Sequence, residues 1–148
     1  MNKKYERYIE YIVNDLETPY FKNMRDNYGL SPDEYELVLS KVYNQPVKVD
    51  IIGATMYVYD RQRKTLYYEN DSNGYWIERI FNEQGKLTYK KNRSGFWQKY
   101  EYNEQGNNTY YEDSDGNWYR KEYNEQGREV YYENSNGYIE DNRYERQI

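Results

Sequence analysis

The sequence predicts an α+β chain, a two-helix head followed by an antiparallel meander of β-hairpin repeats. Three observations carry that prediction. Gly74, Gly95, Gly116 and Gly137 stand 21 residues apart, as do Gly85, Gly106 and Gly127. Trp76, Trp97 and Trp118 keep the same step. Two stretches with helical spacing of apolar residues come before the first strand-like segment. A period of this size marks one supersecondary unit copied and stacked. The expected division is 1–46 for the head and 47–148 for an extended, single-layer repeat sheet.

The first helix is expected over 3–17. Tyr5, Tyr8, Ile9, Ile12, Val13 and Leu16 form one stripe, and Pro19 blocks continuation. Tyr20–Leu30 reads as a linker with room for a short helical turn. Ser31-Pro32-Asp33-Glu34 then has the grammar of a helix start, with a capping serine, proline at the first position and a glutamate to close a capping box. Tyr35, Val38, Leu39 and Val42 make the second stripe, and Asn44-Gln45-Pro46 ends it.

From Val47 the period changes from helical to alternating. Ten segments of about five to seven residues are separated by short polar turns, the pattern of an antiparallel meander. Asn-Glu-Gln-Gly recurs at 82–85, 103–106 and 124–127. In each copy asparagine can cap the turn, and glycine takes the left-handed position of a type I turn with a G1 bulge. The turns beginning at Asn92, Asp113 and Asn134 follow the same recipe. The first copy is imperfect, because Tyr59-Asp60-Arg61-Gln62-Arg63 stands where later copies have Tyr-Asn-Glu-Gln-Gly. Alternation puts Trp76, Trp97 and Trp118 on one face, shared with Glu78, Lys99 and Arg120, and Phe81, Tyr102 and Tyr123 on the other. Strictly apolar residues are scarce, so cross-strand aromatic and ionic pairs must stabilise such a sheet.

Composition narrows the chemistry. The chain has no His and no Cys, which removes Ser-His-Asp and Cys-His catalysis and the usual zinc ligand sets. The glycines are turn glycines and form no phosphate-binding loop. Asp113-Ser114-Asp115-Gly116 resembles part of a calcium loop without its full spacing or distal Glu. No catalytic residue, metal or cofactor is therefore expected, and the chain reads as a non-enzyme. A net charge of -5 disfavours general nucleic-acid binding. The polar first ten residues, followed by no apolar stretch of signal-peptide or membrane-spanning length, fit a cytoplasmic protein.

Aromatic content of 20%, with 23 Tyr, makes protein binding the leading reading. The expected anchors are Trp76, Trp97, Trp118, Tyr110 and Tyr131, with Glu83, Glu104 and Glu125 as a row of electrostatic contacts along one edge. The alternative is a nucleic-acid patch of Lys86, Lys90, Lys91, Arg93 and Lys99 around aromatic rings, or mimicry of nucleic acid by the acidic row. A third reading uses the aromatic ladder to stack on glycans.

Tyr-Asn-Glu-Gln-Gly-Arg-Glu-Val at 123–130 resembles the Tyr-Asp-x-x-Gly-Arg core of Rhs/YD hairpin repeats, with weaker copies at 102–106 and 59–63. That resemblance implies hairpin stacking over 55–143. Trp118-Tyr119 and the glycine-aromatic rhythm are also similar to choline- and glucan-binding repeats. The layout as a whole, with Val38–Pro46 ahead of Tyr-Tyr-Glu-Asn-Ser-Asn-Gly-like hairpins, resembles small uncharacterised phage proteins of low-GC Gram-positive bacteria. That resemblance implies an inhibitor or regulator acting on a host or rival protein. The implied partner is a basic defence nuclease, as for an anti-CRISPR protein, or a transcriptional repressor, as for an antirepressor.

Overall fold

The computed structural model describes residues 3–144. Three helices come first: α1 (Lys3–Asp15), α2 (Tyr20–Asp26) and α3 (Pro32–Val42). Ten strands follow: β1 (Lys48–Ile52), β2 (Thr55–Tyr59), β3 (Thr65–Asn70), β4 (Trp76–Phe81), β5 (Leu87–Asn92), β6 (Trp97–Tyr102), β7 (Asn108–Asp113), β8 (Trp118–Tyr123), β9 (Glu129–Asn134) and β10 (Ile139–Asp141). The sheet is an open antiparallel meander in sequence order. Among the described residues, no helix is long and apolar enough to cross a membrane.

Helical and strand segments meet between Val42 and Lys48, close to residue 46. Compactness draws a different line. One unit spans Met1–Glu78 and a second spans Arg79–Ile148. The first therefore joins the helices to the earliest strands, and the second consists of strands and turns alone.

In the first unit the middle of each predicted stripe enters the core, while Tyr8 of the first stripe is exposed. Ile9 and Ile12 of α1 and Tyr35, Val38 and Leu39 of α3 are buried. The Glu34 carboxylate accepts the Ser31 N–H at 3.0 Å, one half of the predicted capping box. That bond holds Glu34 below the usual carboxylate range.

The two-helix head needs correction, because the supposed linker contains α2. Its seven residues are too few to show a helical period, and Pro19 before them offers no side-chain cap. The missing acceptors come from strand β3. Glu69 accepts the N–H groups of Phe21 at 2.7 Å and Lys22 at 2.9 Å, and the Tyr67 hydroxyl accepts that of Tyr20 at 3.0 Å. Tyr67 in turn donates to Glu69 at 2.7 Å. Three orphan donors of the first helical turn are thus satisfied by two side chains almost 50 residues away in sequence. Arg25 completes the docking with a two-pronged pair to Asp71, at 2.9 and 3.1 Å. Tyr20 packs on Tyr67 with ring centres 4.7 Å apart, and its hydroxyl donates to Glu78 at 3.1 Å.

In the second unit β5, β7 and β9 begin at residues 87, 108 and 129, while β6, β8 and β10 begin at 97, 118 and 139, a spacing of 21 in both series. The Asn103 side chain accepts the N–H groups of Gln105 and Asn107 at 3.1 and 2.9 Å, and Gly106 takes φ +85°. The turns at Asn82 and Asn124 repeat this geometry. On the opposite edge Ser114 and Ser135 each exchange two hydrogen bonds with the backbone of the preceding hairpin. Ser114 bonds Trp97 and Ser135 bonds Trp118, at 2.9 to 3.1 Å.

The imperfect first copy of the turn forms as well. Asp60 accepts from Gln62 and Lys64 at 2.9 Å, and Arg63 occupies the glycine position at φ +63°. A side chain there costs about 1 kcal/mol or more of local strain. Arg63→Gly is therefore expected to raise stability by about 0.5–1 kcal/mol, read from the denaturant midpoint. A fall of that size would mean that the Arg63 guanidinium, 5.5 Å from the Tyr59 ring centre, outweighs the strain.

Candidate functional site

Register divides the second unit into two chemically distinct faces. Tyr100 opposes Tyr111 across β6 and β7, and Tyr111 opposes Tyr119 across β7 and β8. The rings continue through Tyr132 to Tyr138, with successive centres 5.2 to 6.0 Å apart. This tyrosine ladder went unrecognised in the sequence as a continuous feature. Its signal was present, since alternation and pairing bring the second ring of Tyr110-Tyr111 and of Tyr131-Tyr132 into line with Tyr100, Tyr119 and Tyr138. The ladder is anchored at Asp113. Burial would raise that carboxyl, but hydrogen bonds from the Tyr111 hydroxyl and from Asn117 and Asp115 hold it low.

The other face carries Trp97, Lys99, Tyr110, Glu112, Trp118, Arg120, Tyr131 and Glu133. Glu112 lies opposite Lys99 on one side and Trp118 on the other, and Tyr110 lies opposite Arg120. Lys99 sits 4.9 Å from the Trp97 ring centre. Arg120 reaches Glu133 at 3.7 Å and lies 5.0 Å from the Tyr131 ring centre. Arg143 covers the same ring at 4.2 Å and pairs with Glu122 at 3.1 Å. These are surface pairs, so they set the charge pattern more than the stability.

The candidate anchors therefore separate. Trp97, Tyr110 and Trp118 are partly exposed on one face. Tyr131 shares that face but is buried beneath the two arginines. Trp76 departs from the expected display. It is 7% exposed in the core of the first unit and stacked on Tyr67, the ring on which Tyr20 of α2 packs. Trp118→Ala is expected to change stability by less than about 1 kcal/mol, measured by urea unfolding. A loss of about 3–5 kcal/mol, typical of a core tryptophan, would make the ring structural.

Glu83, Glu104 and Glu125 are exposed in successive turns of one edge. There the Gln84 amide donates to the Glu104 carbonyl at 2.9 Å. The basic candidates do not gather on one face. Lys91 opposes Trp97 and shares the face of Lys99, whereas Lys90 opposes Gln98 on the tyrosine side. Lys86 and Arg93 are exposed at turns on opposite edges.

The first unit has a cleft of about 340 Å³ lined by Pro46, Val47, Lys48, Tyr59, Asp60, Arg61 and Arg63. Among the described residues, no group of three or more carboxylates is placed to hold a metal ion. No family model matches the chain, and no curated protein matches its sequence.

Proposed function

We propose that this chain is a non-enzymatic protein-binding module, an inhibitor or regulator encoded by a phage or mobile element. It acts in the bacterial cytoplasm on a host or rival protein through the Trp97–Trp118 face of its 21-residue hairpin repeats. The observation that carries this reading is the composition of that face. Partly exposed Trp97, Tyr110 and Trp118 lie among Lys99, Glu112 and Arg120. Aromatic and arginine side chains held on rigid strands are the groups that dominate protein interfaces. A partner with a basic surface, such as a defence nuclease or a repressor, would also meet the Glu83, Glu104 and Glu125 row.

The test is capture on the tagged full chain from host lysate, with and without nuclease treatment, alongside a Trp97→Ala/Trp118→Ala variant of unchanged circular dichroism. A stoichiometric protein that survives nuclease and is lost with the variant supports the reading. Recovery that vanishes with nuclease assigns the surface to nucleic acid through Lys91 and Lys99. Capture that is indifferent to both changes removes this face from the function.

A further inference from the structure

The repeat carries one three-residue pattern four times. Tyr67–Glu69, Tyr89–Lys91, Tyr110–Glu112 and Tyr131–Glu133 occupy equivalent positions in β3, β5, β7 and β9. Each lies next to Trp76, Trp97, Trp118 or Ile139 of the following strand, as the pairings Glu69–Trp76, Lys91–Trp97, Glu112–Trp118 and Glu133–Ile139 show. The first copy reveals what this arrangement accepts. Its carboxylate and hydroxyl take three consecutive backbone N–H groups from a helix that has no cap of its own. Electrostatics favours that occupant, since an uncapped helix start presents partial positive charge to the carboxylate.

The other copies differ in accessibility and sign. Lys91 puts a cation where the acceptor should be. Tyr131 is already covered by Arg120 and Arg143. Tyr110–Glu112 keeps the acceptor pair, with the phenol 3.4 Å from the carboxylate, and is partly exposed beside Trp118. We infer that Tyr110, Glu112 and Trp118 form a docking cradle for the uncapped N-terminal turn of a helix on a partner protein. The inference rests on the protein-binding reading and names the element the partner would present. Arg120 replaces Glu78 of the first copy, where Glu78 receives the Tyr20 hydroxyl. The partner helix therefore carries a carboxylate or other acceptor at the place of Tyr20, rather than a donor.

The probe is a helix-stapled peptide of residues 17–28 with Tyr20→Glu, titrated to about 1 mM into the full ¹⁵N-labelled chain. The indole N–H signals of Trp76, Trp97 and Trp118 provide the readout. The expected result is a saturable shift of the Trp118 signal, weakened at least tenfold by Glu112→Gln and restored in part when the peptide meets Glu112→Asp. No Trp118 shift at 1 mM overturns the inference. So does a shift that survives Glu112→Gln, or one confined to Trp76. If the peptide fails while lysate capture still depends on Trp97 and Trp118, the face binds protein and only the helical occupant is wrong. If the peptide binds and lysate capture ignores the face, the cradle stands and the broader functional reading falls.

Discussion

Glu69→Ala is expected to destabilise the first unit by about 3–5 kcal/mol, because it strips the acceptor from three donors, at about 1–3 kcal/mol for each one left buried and unpaired. Glu69 is 1% exposed, and its two oxygens hold the N–H groups of Phe21 and Lys22 and the hydroxyl of Tyr67. Without it the Phe21 N–H and the Tyr67 hydroxyl remain buried with no acceptor, the Lys22 N–H loses its partner, and α2 has no residue of its own to replace the cap. Glu69→Gln should cost less, since one oxygen survives as acceptor. Glu112→Ala, the same change at the equivalent position of the third copy, should stay within about 1 kcal/mol, because that site is partly exposed. Denaturant midpoints of the three variants give the comparison. Equal losses for Glu69→Ala and Glu112→Ala would contradict the role given to α2.

Alkaline unfolding is the second large effect. Burial pushes the Tyr67 and Tyr43 hydroxyls well above the ordinary tyrosine value, with Glu69 adding to the first and Glu78 to the second. Tyr43 lies in this cluster with no hydrogen-bond partner for its buried hydroxyl, and Glu78 acts on it through charge. The folded chain therefore keeps protons that the unfolded chain releases near pH 10. This contribution is complete below that pH and falls as pH rises, at about 1.4 kcal/mol per pH unit for each group. Circular dichroism should collapse above about pH 10. The tyrosinate absorbance of the buried rings should appear in the same step. Smooth ionisation of all tyrosines with no loss of dichroism would refute this. On the acid side the signs reverse. Glu34 and Asp113 are held low, so their contribution is present above about pH 4 and is lost as pH falls through their folded values. With no histidine in the chain, stability should be flat between these limits.

The strands were legible because their signal is local. A turn needs only Asn or Asp at its start and a left-handed residue at its end, and both lie within five residues. Even the defective copy at Asp60–Arg63 obeys that rule. Helix α2 was illegible for the opposite reason. Its cap, its aromatic seat and its ion pair all come from strand β3 or the turn after it, and nothing within Tyr20–Asp26 announces them. The candidate site divided along the same line. Periodicity placed Trp97 and Trp118 together, but it could not show that Trp76 is buried against Tyr67, the ring on which α2 docks. The arginine cover on Tyr131 was equally hidden, since Arg143 is the last residue of the repeat-like span and has no counterpart arginine one period earlier, where Glu122 stands.

The serine stitches and asparagine turns of the second unit tie each hairpin chiefly to its neighbours. A gene coding for such a chain can gain or lose 21 codons by unequal exchange between the near-identical stretches at 103–106 and 124–127 without shifting frame or breaking a turn. Length then becomes a heritable dial: one crossover adds or removes a whole row of side chains, offering selection a larger or smaller surface in a single step. Deleting 107–127 should accordingly yield a protein one hairpin shorter that still folds, while the α2 docking at Glu69 stays untouched.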